Sequence, residues 1–268
     1  MAMRHVENEL RRLGENNLAN IIAAARFELR AKRDLDDFSF PEAPILIKML
    51  QEFKTGFLIP ELVTKTFQAI WNTRGEEAGI EIIVSPCDRT REELIALQSA
   101  DRRIGYIPEQ VMRSQDYPLL NKMFNCGNYY HSIDFEDLVT NKVDRSGWFD
   151  YEAKIDAPYI DTTNKQLREV IASEGERLKM NLSGMNVNEY IVASQDSKLF
   201  TGKYLDEYLD EGFTLSRLLG ARLGGSRGGV VASQFRSDGL LGIDFDLYHR
   251  SPSSRLGGRS VGVKSVMI

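Results

Sequence analysis

The stretch Gly220–Tyr248 reads GARLGGSRGGVVASQFRSDGLLGIDFDLY. Its second half decides how the C-terminal part of the chain folds. VVASQF (230–235) and LLGIDFDLY (240–248) are β-branched and aromatic runs on either side of RSDG, and the Asp238-Gly239 pair is a hairpin-turn signal. After the SPSS turn, SVGVKSVMI (260–268) reads as a third strand. Ten of the chain's 21 glycines follow Leu215, and RLGG occurs at 222–225 and again at 255–258. Glycine at that density permits close backbone approach, to a neighbouring strand or to a ligand. The expectation is a small antiparallel sheet with bulges and tight corners.

Working outward, the text upstream is mixed. Val6, Leu10, Leu13, Leu18, Ile21, Ile22, Ala25 and Leu29 recur at helical spacing, as do Ile45, Leu46, Met49, Leu50 and Phe53, and then Leu62 to Trp71 after Pro60. From Gly79 the period changes. IEIIVSP (80–86) reads as a strand, Thr90 with Glu93 as a capping box opening a helix through Leu97, and RIGYIP (103–108) as a second strand, together a βαβ-like unit with a parallel pair. SPCDRT (85–90) lacks the glycines of a phosphate turn. Further on, a strand is expected near Trp148 to Ile155, a helix from Thr163 and Gln166 through Glu174, another from Asn188 to about Leu199, and a turn or two in YLDEYLDEG (204–212). The class is therefore α+β, with a helical region at 1–75, a short mixed α/β region at 76–160 and a C-terminal α+β domain at 161–268.

Charge is distributed unevenly. From Leu215 onward, eight Lys or Arg stand against three Asp, which leaves +5, so the preceding 214 residues carry −10 of a formal net charge of −5. An acidic body with a basic, glycine-rich end points to an anion-binding surface at that end, in which Arg222, Gly225, Ser226, Arg227, Arg255 and Arg259 are the candidate residues. A nucleic acid or nucleotide is the natural class of partner, with phosphates meeting arginines and bases stacking on Phe235, Phe245 or Tyr248. A solvated basic face that merely balances the acidic body is the plainer alternative.

Other chemistries find little support. No apolar run approaches the ~20 residues of a membrane span, and MAMRHVENELRRLGENN has no apolar core of a signal peptide, so a cytoplasmic protein without a membrane partner is expected. Cys87 and Cys126 form no CxxC pair, and His5, His131 and His249 lie far apart in sequence. There is no Gly-Lys-Ser/Thr phosphate loop and no GxSxG elbow.

Two resemblances bear on the C-terminal region. GGSR (224–227) followed by hydrophobic-Asp-x-Asp at 243–246 resembles the signature of nucleotidyltransferases related to DNA polymerase β. That resemblance implies phosphate contacts from Gly225 and Ser226 and Mg²⁺ held by Asp244 and Asp246, which on a regular strand share a face about 6.6 Å apart. It departs from the family in its 17-residue spacer and in the missing third carboxylate, for which Asp206 or Asp210 would have to serve. Alternating Asp, Phe, Asp also describes the wet face of any half-buried strand. LLGAR, the glycine-rich hairpin and LGGRSVGVK are similar to the C-terminal module of conserved hypothetical bacterial proteins, which implies a compact β unit and no particular activity. The functional expectation is a non-catalytic binding protein for an anionic partner, with a metal-dependent nucleotidyltransferase and a structural or assembly protein as alternatives.

Overall fold

A computed structural model describes residues 60–127, 139–208, 214–223, 230–245 and 252–264. The helical stripes expected between Val6 and Phe53 lie outside the described residues. The first helix described, α1 (Pro60–Ala78), starts with proline where a missing N–H costs nothing. Val63, Phe67 and Trp71, one turn apart, form its fully buried stripe. Each such side chain is worth about 1.5–3 kcal/mol in burial, and the Trp71 indole also donates to the Tyr106 carbonyl at 3.2 Å. Gly79 ends the helix in the left-handed region, φ +72°, while Ile80 N–H closes back onto the Gly75 carbonyl at 2.9 Å.

Residues 81–85 alternate exposed and buried as a strand would, yet no strand among the described residues pairs with them. Side chains take the place of neighbouring strands. Gln68 receives the Val84 N–H and donates to the Ile82 carbonyl, and on the other edge the Tyr106 hydroxyl receives the Ser85 N–H. The parallel pair of the expected βαβ unit is thereby corrected: α2 (Arg91–Ser99) leads into β1 (Arg102–Ile107), but β1 pairs antiparallel with β3 (Gly147–Glu152), Arg102 opposite Glu152 and Ile107 opposite Gly147. The Thr90/Glu93 capping box forms as read from sequence. Helix α3 (Tyr117–Phe124) and the short β2 (Val139–Asn141) lie between β1 and β3 along the chain.

Helix α4 (Asn164–Leu178) opens on a Thr163/Gln166 capping box, and β4 (Leu182–Gly184) follows it. Helix α5 (Val187–Thr201) opens on Asn186/Glu189, two residues before the expected start. It is buried continuously from Val187 to Ser194, which explains why no amphipathic stripe marked its boundary. Beyond it come β5 (Glu207–Tyr208), β6 (Leu215–Leu218), β7 (Ala221–Leu223), β8 (Val231–Arg236), β9 (Leu241–Phe245), β10 (Leu256–Gly258) and β11 (Ser260–Gly262). The expected hairpin is β8–β9, antiparallel, with Val231 opposite Phe245 and Gly239 at φ +91° in the turn.

Two sheets organise these strands. One has the order β1-β3-β11-β4, and the other runs β10-β6-β8-β5 with β9 also on β8, while β2 and β7 pair apart. The fold is α+β with a sheet-rich C-terminal region. SVG at 260–262 does form a strand, but between β3 and β4 rather than beside the hairpin. The first sheet thus joins strands from both sides of residue 160, and a single apolar cluster runs from Val63 through Trp148 and Ile191 to Val261. Among the described residues this cluster crosses both 75/76 and 160/161.

Candidate functional site

The turn between β6 and β7 carries the clearest concentration of unpaired positive charge. Strand β7 pairs with β2 so that Arg222 lies opposite Thr140, and the Arg222 Nε donates to Thr140 Oγ1 at 3.1 Å. Just past β2, Lys142 is tied to the turn twice, by its N–H to the Gly220 carbonyl and by its Nζ to the Leu219 carbonyl, both at 2.7 Å. Leu219 packs on Leu167 and Ile171 of α4, which brings the helix carrying Arg168 against the same turn. Lys142, Arg168 and Arg222 are all exposed, and none is ion-paired among the described residues. Partial burial and then the like charges of Arg168 and Arg222 hold the Lys142 ammonium below the usual lysine range. Three cations sharing one surface without a carboxylate repel one another, and an anion relieves that repulsion.

The fold disperses the residues singled out in the sequence. Arg222 belongs to this surface. Gly225, Ser226 and Arg227 follow β7 directly and lie outside the described residues. Arg255 is exposed, at the far end of β6, where its carbonyl receives the Leu215 N–H. From Thr214 to Leu219 is five residues, ~16 Å of extended chain, so Arg255 and Arg222 mark opposite ends of the strand. The two RLGG segments do not meet as strands, because β7 pairs with β2 and β10 with β6.

Arg259 is corrected outright: it is fully buried. Its Nη2 and Nε meet Asp206 at 3.1 Å each, and its remaining donors go to the carbonyls of Glu152, Lys154 and Ile155. Arg217, another of the eight C-terminal cations, is also fully buried and donates to the carbonyls of Thr162 and Leu256. Part of the charge asymmetry read from sequence is therefore interior charge that never faces a partner.

No family model, curated protein or solved structure matches this chain.

The metal set implied by the nucleotidyltransferase resemblance is not assembled by the described residues. Asp244 places its backbone opposite Ala232 in β9, and Asp246 and Asp210 lie outside the described residues. Asp206 is engaged by Arg259, by the Tyr190 hydroxyl at 3.1 Å and by the Thr214 hydroxyl at 2.8 Å. Among the described residues no three His, Cys, Asp or Glu side chains are grouped to hold a metal. No described helix is long and apolar enough to cross a membrane.

A second polar centre, missed in the sequence, joins the first sheet to its surroundings. Arg102 donates to Asp150 at 2.5 Å and to Glu152 and Ser260 at 3.1 and 3.0 Å, Ser260 donates in turn to Glu152, and Arg89 approaches Asp150 at 3.5 Å. Burial pushes the Asp150 carboxyl up, and Arg102 and Arg89 oppose that push. Every one of these groups is answered from within the fold. Apart from both centres, a cleft of about 350 Å³ is lined by Glu81, Ile83, Ser85, Tyr106, Glu109 and Gln110 among others, an acidic rim unsuited to anions.

Proposed function

We propose that the chain is a binding protein that holds an anionic partner, a nucleic acid by preference, on the surface built by Lys142, Arg168 and Arg222. The observation that carries this reading is the convergence of three exposed cations from β2–β3, α4 and β7 on one turn with no carboxylate answering them among the described residues. In sequence, Arg227 follows Arg222 by five residues, within the glycine-rich GGSRGG at 224–229. Cations so arranged recognise phosphate by charge, without reading bases.

The test is fluorescence anisotropy of a labelled mixed-sequence single strand between 50 and 200 mM salt. Three phosphate contacts give a slope of log K on log salt of about −2, a loss of roughly 20-fold over that range. Replacing Lys142, Arg168 and Arg222 together by Ala is expected to flatten the slope and abolish binding. Binding unchanged in the triple variant, or indifferent to salt, overturns the proposal.

A further inference from the structure

Beneath the surface, four charged or polar side chains from four elements each keep one unanswered atom. Arg74 of α1 donates through Nη2 to Asp196 Oδ1 of α5 at 2.7 Å, a one-point contact that leaves Arg74 Nη1 and Asp196 Oδ2 without partners. By strict hydrogen-bond geometry Arg103 Nη1 and the Tyr151 hydroxyl are likewise buried and unpartnered, with the Arg103 guanidinium close beside the Tyr151 oxygen. Asp196 and Tyr151 are fully buried and Arg74 is 8% exposed.

These atoms belong to one locus. Arg103 and Tyr151 are directly opposite on β1 and β3, so their side chains leave the same face of the sheet with Cβ atoms about 5 Å apart. The Arg103 guanidinium also lies over the Phe200 ring, 5.7 Å away, and Phe200 is one helical turn from Asp196. The Arg74 guanidinium lies against the Trp71 and Phe124 rings, 4.8 and 4.7 Å from their centres. The charges that act most strongly on Asp196 are Arg74 and then Arg103. Arg103 is likewise the charge that acts most strongly on the Tyr151 hydroxyl, followed by Asp196.

Two guanidinium groups against one carboxylate leave a local charge of +1, and three of the four unanswered atoms are hydrogen-bond donors. An unpaired buried donor destabilises a fold, and more so when it is charged. Such a cost persists in a fold only where something satisfies it. We infer that Arg74, Arg103 and Tyr151 form an interior site for a small monovalent anion of halide size, set against Asp196. The anion accepts from the two Nη1 groups and the Tyr151 hydroxyl, and it brings the locus to neutrality. The site is separate from the surface at Lys142, Arg168 and Arg222, and takes a different ligand.

Bromide is the probe. Thermal unfolding of the whole protein is compared in sodium bromide and in sodium gluconate, whose anion is too large to enter, at equal ionic strength. Bromide at about 100 times its dissociation constant is expected to raise Tm by roughly 5–10 °C, and the rise is expected to vanish in Arg103→Met, which keeps the stem over Phe200. The rise should survive Lys142→Ala/Arg222→Ala, which separates this site from the surface. In crystals of the unaltered protein grown with bromide, an anomalous peak within hydrogen-bond reach of Arg74, Arg103 and Tyr151 supports the inference without any variant. Equal Tm in both salts, a bromide effect that persists in Arg103→Met, or water alone at the four atoms overturns it.

Discussion

Asp206→Ala leaves the Arg259 guanidinium fully buried with its carboxylate gone, and it also strips Tyr190 and Thr214 of an acceptor. Removing one partner of a buried pair costs about 3–5 kcal/mol, which corresponds to a fall in Tm of roughly 6–20 °C. Arg259→Met should cost more. It orphans Asp206 and in addition removes the donor from the carbonyls of Glu152 and Lys154, each lost bond adding about 1–3 kcal/mol. Urea unfolding followed by tryptophan fluorescence measures both, because Trp71 and Trp148 are buried in the core that these residues border. A loss below about 1 kcal/mol in either variant, the scale of the exposed Lys165–Glu169 pair, would refute the claim that Arg259 is an interior structural group. So would the reverse order of the two variants, since it would mean that the carbonyl bonds contribute nothing.

Two further expectations concern local features. Gly239→Ala forces a side chain to φ +91° and sets its Cβ 3.0 Å from the Tyr204 hydroxyl, so chemical denaturation should show a loss of about 1–2 kcal/mol. Asp196→Asn probes pH. Burial raises the Asp196 carboxyl above its ordinary value of 3.8, with Arg74 and then Arg103 opposing. The folded state therefore holds that proton more tightly than the unfolded chain. The contribution is fully present below the unfolded value and is lost as pH rises through the raised folded value. The stability of the unaltered protein relative to Asp196→Asn should accordingly decline from pH 4 upward in parallel urea titrations. A flat difference between pH 4 and pH 7 contradicts the assignment.

What could be read from sequence was local. The Thr90/Glu93 and Thr163/Gln166 boxes lie within one helical turn, and Asp238-Gly239 specifies its own turn, so neighbours in the chain are sufficient. Ile80–Pro86 shows the limit. Its β-branched alternation is real, but Gln68 and Tyr106 occupy its edges, and their approach depends on helix packing. Arg259 failed for the same reason, because its partner Asp206 is 53 residues away. The surface at Lys142 and Arg168 needed β2 and α4 to meet the β6–β7 turn, and only Arg222 of its three cations stood in the basic stretch that drew attention.

Strand β11 sits between β3 and β4, and β4 has no other strand neighbour among the described residues. During synthesis β3 is complete at residue 152 and β11 ends at residue 262, ~110 residues later, or roughly 5–22 s at the usual pace of translation. For that interval the free edge of β3, with its WFDYE sequence, is a template that any extended segment can pair with. The buried charges on β3 become a safeguard in this light. A foreign strand without a serine at the place of Ser260 would leave Glu152 with Arg102 but without the Ser260 hydroxyl, so the edge favours its own strand over an intruder.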